Sequence, residues 1–215
     1  MTTRVFLVRH GQTEWNAQRR YQGRSDSPLT PLGQDQMRRL ATALAQEPVA
    51  AVYTSPLGRC WWGAECIAAV HGLEPIPEPD LVELNHGILD GLRVEEMEAE
   101  VGELVRRWWR DPAQVRLPGG ETLEEARTRA MRAFGRIVAG HPDGTVVVVS
   151  HAGINRLILL TLLDAPLSAY FRLQQHNGAI NLIEASSPEE ARIVTLNDTC
   201  YLKLPTQDPG LIGQE

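Results

Sequence analysis

Two histidines of this 215-residue chain, His10 and His151, stand at the ends of apolar runs and just ahead of a glycine, in VFLVRHG and VVVVSHAG. A strand that ends in an imidazole can present a nucleophile, a general base or a metal ligand. In open α/β sheets ligands gather outside the carboxyl ends of the strands, so two such imidazoles can share one crevice although far apart in sequence. Arg9 adds a guanidinium beside His10, and its planar fork suits phosphate or carboxylate oxygens. Lys203 is the only lysine among 21 basic residues. That bias would suit oxyanion recognition but is better read as a matter of codon composition. Of the other histidines, His71 before Gly72 fits a helix C-terminus and His141 before Pro142 a surface turn. His86 follows Glu83 by three residues in LVELNHGILDG, where it could touch either a ligand or solvent. His176 is left without a role.

The elements that must hold these residues can be read from periodicity. Residues 5–8 form an apolar run that predicts a buried strand ending at the first histidine. Thr30 as an N-cap and Pro31 at the first helical position open a helix whose buried face is Met37, Leu40, Ala41 and Leu44. A second strand is predicted over 50–54 and a second helix over 57–70, followed by a proline-rich connection at Pro75, Pro77 and Pro79. Glycines and an asparagine mark 81–91 as a loop. Met97, Val101, Leu104, Val105 and Trp108 outline one helix face. Thr122 with Glu125 makes a capping box for another, buried through Ala126, Ala130, Ala133, Phe134 and Ile137. Residues 145–149 are almost entirely β-branched, as in a central strand covered on both faces. A helix over 155–163 and strands over 179–185 and 193–196 complete the chain. The alternation predicts an α/β fold, a three-layer sandwich with a mostly parallel central sheet and helices on both faces.

Composition narrows the class. With 43% hydrophobic and 22% charged residues the chain reads as an ordinary globular protein, expected as a single domain over 1–204 with a mobile tail over 205–215. No run approaches the roughly 18 apolar residues of a spanning helix, and no signal segment opens the chain, so a cytoplasmic location is expected. Cys60, Cys66 and Cys200 are odd in number and scattered, which argues against disulfides or structural zinc. A net charge of −6 creates no field for nucleic acid. The expected partner is a small molecule, with a homodimer as a candidate assembly.

In chain order, TRVFLVRHGQTEWN, SPLGRC, ELNHGILDG, PGGET and VVVVSHAG resemble the signatures of the histidine phosphatase superfamily, also called phosphoglycerate mutase-like. The resemblance implies a phosphomonoesterase with no metal and no cofactor, acting through a phosphohistidine on His10. It implies that Arg9 and Arg59 neutralise phosphate oxygens and disfavour protonation of His10, and that His151 binds the transferring group from the opposite side. Amides at Ala152 or Gly153 would add donors. Glu83 would protonate the leaving alkoxide and then activate water, so it must begin protonated, which a nearby phosphate dianion favours. Asn16, Gln22 and Gly23 fall where the superfamily makes further phosphate contacts, and His86 is placed to read the rest of the substrate.

Within the superfamily the sequence points to hydrolysis, because Leu84 stands where mutases carry an arginine beside the acid and the mutase extension after it is missing. Leu89, Trp61, Trp62 and Gly63 depart from the usual pattern around the pocket. Trp108 and Trp109 are open to core packing, dimer packing or substrate contact. NHGILDG, RRWWRDPAQVRLPGGETL and LNDTCYL are similar to metal-independent phosphoserine phosphatases of bacteria, which implies L-phosphoserine as substrate. Alternatives are a phosphoglycerate mutase, or a phosphatase for α-ribazole phosphate or phosphoglycerate. Two other classes compete: a metal phosphatase with His10, His86, His151 and Glu83 as ligands, which lacks the paired aspartates of such sites, and a catalytically silent binding protein.

Overall fold

The computed structural model describes residues 1–202. The tail expected over 205–215 therefore lies outside the described residues. The elements run β1 (Thr3–Arg9), α1 (Glu14–Ala17), α2 (Pro31–Leu44), β2 (Val49–Thr54), α3 (Gly58–Val70), β3 (Pro75–Pro77), α4 (Val94–Arg110), α5 (Leu123–Gly140), β4 (Thr145–Ser150), α6 (Ala152–Leu162), β5 (Ile180–Ala185) and β6 (Ala191–Asp198).

The strands form one sheet in the order β3-β2-β4-β1-β5-β6, in which β3, β2, β4 and β1 run parallel. The last two strands are antiparallel. Side chains alternate across a strand, and the two apolar clusters follow that alternation. Val5, Leu7, Val146 and Val148 face α4, α5 and α6. Phe6, Val8, Val147 and Val149 face α2 and α3. All six residues of β4 are buried, which is why that strand reads as a continuous β-branched run. The result is the expected three-layer α/β sandwich.

Three expectations need correction. The proline-rich connection contains a short strand, β3, which pairs with β2 alone; proline is tolerated there because an edge strand does not require every N–H for the ladder. Helix α6 begins at Ala152 rather than at 155, taking in Gly153, a poor helix former. Helix α4 is broken at Val101 (φ −141°, ψ 28°), beside Gly102, so the five apolar positions do not share one straight face. Elsewhere the local signals hold: the Thr30 side chain accepts from the Gly33 amide, and Thr122 and Glu125 cap each other's backbone. Among the described residues no helix is long and apolar enough to cross a membrane.

Candidate active site

The parallel register of β1 and β4 sets Arg9 opposite Ser150, so the residues that follow, His10 and His151, emerge side by side. Their ring centroids are 5.2 Å apart in an edge-on arrangement, and the His10 amide donates to the Ser150 carbonyl at 3.0 Å. The turn after His10 packs directly on the start of α2: a Cβ on Gly11 would stand 2.2 Å from the Gly33 carbonyl oxygen.

His10 is 4% exposed, and its Nδ1 lies 2.7 Å from the Gly11 carbonyl oxygen. A carbonyl only accepts, so Nδ1 carries the proton and Nε2 keeps its lone pair. Burial, then the charges of Arg59 and Arg9, hold the imidazole well below its ordinary value, which keeps it neutral. His151 is fully buried; Arg59 Nε donates to its Nδ1 at 3.2 Å, leaving Nε2–H to donate to Ser55 Oγ at 2.7 Å. Burial and then Arg59 also depress this imidazole.

The two arginines are held rigidly. Arg9 donates to the Gln175 carbonyl at 2.6 Å. Arg59 donates to the carbonyls of Gly23 and Ser25 at 2.7 and 2.9 Å and meets Asp26 Oδ1 at 3.2 Å. Glu83 is 5% exposed, with Oε1 accepting from the Leu84 amide at 2.8 Å and Oε2 from the Gly153 amide at 3.2 Å. The helix N-terminus thus bonds to the acid, and the Gly153 amide expected to serve phosphate is engaged by Glu83.

A cavity of about 60 Å³ is lined by Arg9, His10, Asn16, Gln22, Glu83, His86, Ala152 and Gly153, and also by Tyr21, Arg156, Tyr170 and Phe171. Eight of the eleven expected residues therefore meet there. Arg59 and His151 stand behind the wall, in contact with each other and close to His10. Gly23 is not in the lining: its amide donates to Asp90 at 2.8 Å and its carbonyl holds Arg59, so it orients a charge from outside. Asn16 Oδ1 accepts from Asn177 Nδ2 at 3.2 Å, and Gln22 Oε1 accepts from Thr13 at 2.7 Å. Gln22 Nε2 and His86 Nδ1 are buried without a hydrogen-bond partner, and both residues contribute to the cavity lining. His86 is packed edge-on against Tyr21, and burial lowers its pKa. Trp108 is fully buried, and neither Trp108 nor Trp109 lines the cavity.

Four lining residues escaped the sequence reading. Tyr21 comes from a loop, and Tyr170 and Phe171 from a short 3-10 helix, Leu167–Arg172, that has no recognisable apolar spacing. Arg156 left one signal, as the only charged residue of AGINRLILLTL. Among the described residues no group of three or more His, Cys, Asp or Glu is arranged to hold a metal ion.

Comparison with known proteins identifies the family and the fold. The family described as Histidine phosphatase superfamily (branch 1) matches residues 5–199. The chain is 36% identical over 201 residues to Phosphoserine phosphatase 1 of Hydrogenobacter thermophilus, covering 93% of this chain and 94% of that protein. It is 34% identical over 208 residues to a Yersinia enterocolitica protein named Probable phosphoglycerate mutase GpmB, covering 95% and 97% respectively. The solved structure of Bacillus stearothermophilus YhfR matches with a TM-score of 0.88 at 28% identity, over 94% of this chain and all of that one.

Proposed function

The chain belongs to the histidine phosphatase superfamily and is a phosphatase, and from that premise we propose that it hydrolyses small phosphomonoesters through His10 without a metal. The observation that carries the reading is the state of His10: a buried neutral imidazole with Nδ1–H bonded to Gly11 and Nε2 free to attack, in a cavity shared with Glu83.

In the proposed reaction Nε2 of His10 forms a bond to phosphorus as the ester P–O bond breaks, and the leaving alkoxide takes the proton of Glu83. Water then attacks the phosphohistidine, Glu83 accepts its proton, and phosphate leaves with His10 restored. Arg9 and Arg59 balance the charge of the phosphoryl oxygens, with Asn16, Gln22 and the Ala152 amide as further donors and His151 beside the nucleophile. Positioning and electrostatics do most of the work, as in phosphoryl transfer generally.

For the substrate we propose L-phosphoserine. The reading is supported by the similarity to a relative named phosphoserine phosphatase and by the buried Gln22 Nε2 and His86 Nδ1, which suit a polar ligand. Leu84, buried in the core, supports hydrolysis over mutase chemistry. A panel of L-phosphoserine, 3-phosphoglycerate, α-ribazole phosphate and an aryl phosphate, run before and after exhaustive EDTA treatment, tests the proposal. L-phosphoserine should give the highest kcat/KM and activity should survive chelation. Loss that zinc or manganese restores contradicts the metal-free mechanism, and a phosphoserine rate no better than that of simple alkyl phosphates contradicts the substrate.

A further inference from the structure

Arg156 is a charge the reaction above does not use. It lies four residues past Ala152 on α6, on the same side of the helix and about 6 Å further along its axis, so it extends the wall that begins at the reacting centre. Its Nε donates to the Leu173 carbonyl at 2.6 Å, and its guanidinium carbon stands 5.3 Å from the centroid of the Tyr170 ring. These contacts fix the plane of the fork. Apart from Tyr170 its terminal nitrogens bond to no other side chain, and it forms no ion pair among the described residues. The charge is felt at His86, Tyr21 and Tyr170, which surround the same part of the cavity.

A partly buried, immobilised guanidinium without an anionic partner is costly unless an anion arrives. The phosphoryl end of the cavity already has Arg9, backed by Arg59. The fork at Arg156 matches the two oxygens of a carboxylate, a geometry an ammonium would not reproduce. We propose that Arg156 selects phosphomonoesters bearing a carboxylate a few bonds from the ester oxygen, by pairing with that carboxylate. The inference rests on the phosphatase reading of this cavity and names the substrate class it admits, of which L-phosphoserine is one member.

The test compares kcat/KM for L-phosphoserine with that for O-phosphoethanolamine, which lacks only the carboxylate. The wild type should favour phosphoserine. In Arg156→Gln the phosphoserine to phosphoethanolamine ratio should fall about 10- to 100-fold, the range for losing a hydrogen bond to a charged group. Arg156→Lys, which keeps the charge and the bulk, should retain an intermediate ratio and guards against a folding defect in the first variant. An unchanged ratio in both variants, or a wild type without preference, overturns the proposal. The same ratio taken with 3-phosphoglycerate separates the two claims. If 3-phosphoglycerate surpasses phosphoserine and Arg156→Gln still removes the preference, the substrate assignment fails and the carboxylate contact stands.

Discussion

The imidazole of His10 works only if it is neutral and correctly turned, and two neighbours determine both: the Gly11 carbonyl takes Nδ1–H, and burial with Arg59 and Arg9 suppresses protonation. Glu83 has a different task, since it must give up a proton to the leaving group. Glu83→Gln should therefore slow alkyl phosphates by about 10²- to 10⁴-fold, while an aryl phosphate, whose leaving group needs no acid, should lose far less. Steady-state kinetics on both substrates decides this, and equal losses would remove Glu83 from the acid role. His86 lines the cavity, packs edge-on to Tyr21 and has a buried, unpaired Nδ1. In His86→Ala the kcat/KM ratio of L-phosphoserine to aryl phosphate should drop about tenfold, as expected for one lost hydrogen bond to a charged ligand; an undiminished ratio would leave His86 as packing only.

Two elements position the acid, and neither does so through the motif that contains it. The first turn of α6 presents the Gly153 amide to Glu83, and a Cβ at Gly153 would lie 2.5 Å from Glu83 Oε1 and 2.7 Å from the Tyr170 hydroxyl. Gly153→Ala should displace the carboxylate and lower kcat for alkyl phosphates about 10- to 100-fold with the fold intact, to be checked by kinetics alongside a thermal melt. Wild-type turnover in this variant would show that the close approach is immaterial. From α5, Arg129 donates to the carbonyls of Asp80 at 2.7 Å, Val82 at 2.5 Å and Glu83 at 3.1 Å, and pairs with Glu121 at 2.6 Å. One side chain thus ties down the backbone that carries the acid. Arg129→Met leaves those carbonyls and Glu121 without it and should cost about 2–4 kcal/mol in urea denaturation. A loss below about 1 kcal/mol, the value of an exposed ion pair, would contradict that assignment. The strand ends were legible because a β-branched run closing on a histidine is a local pattern. The start of α6 was not, because Gly153 in its first turn is a poor helix former, and the close approach of Glu83 and of the Tyr170 hydroxyl explains a glycine there.

Across the molecule, the parallel sheet brings together residues 141 positions apart in sequence, and this buries three imidazoles, His10, His86 and His151, whose pKa values all lie below the ordinary 6.5. The unfolded chain takes up protons at these residues below about pH 6.5 while the folded chain resists them, so stability should fall as pH drops from there. Each group contributes at most about 1.4 kcal/mol per pH unit. Urea midpoints should accordingly decline between about pH 7 and pH 5.5, and a flat or rising profile would contradict buried neutral histidines. The same long-range assembly limits what a sequence can disclose. Motifs announced His10, Glu83 and His151, but Arg156, Tyr170 and Phe171 reach the cavity through tertiary packing, and Gly23 turned out to hold Arg59 rather than line the cavity. The whole assembly serves one proposed step, the passage of the phosphoryl group through His10. Its most direct test is to mix the enzyme with radiolabelled L-phosphoserine or aryl phosphate, quench in alkali within a turnover, and map the label on the chain. An alkali-stable, acid-labile phosphoryl group on His10 that is lost in His10→Ala is the predicted result; label on a serine or aspartate, or undiminished turnover in His10→Ala, would contradict it.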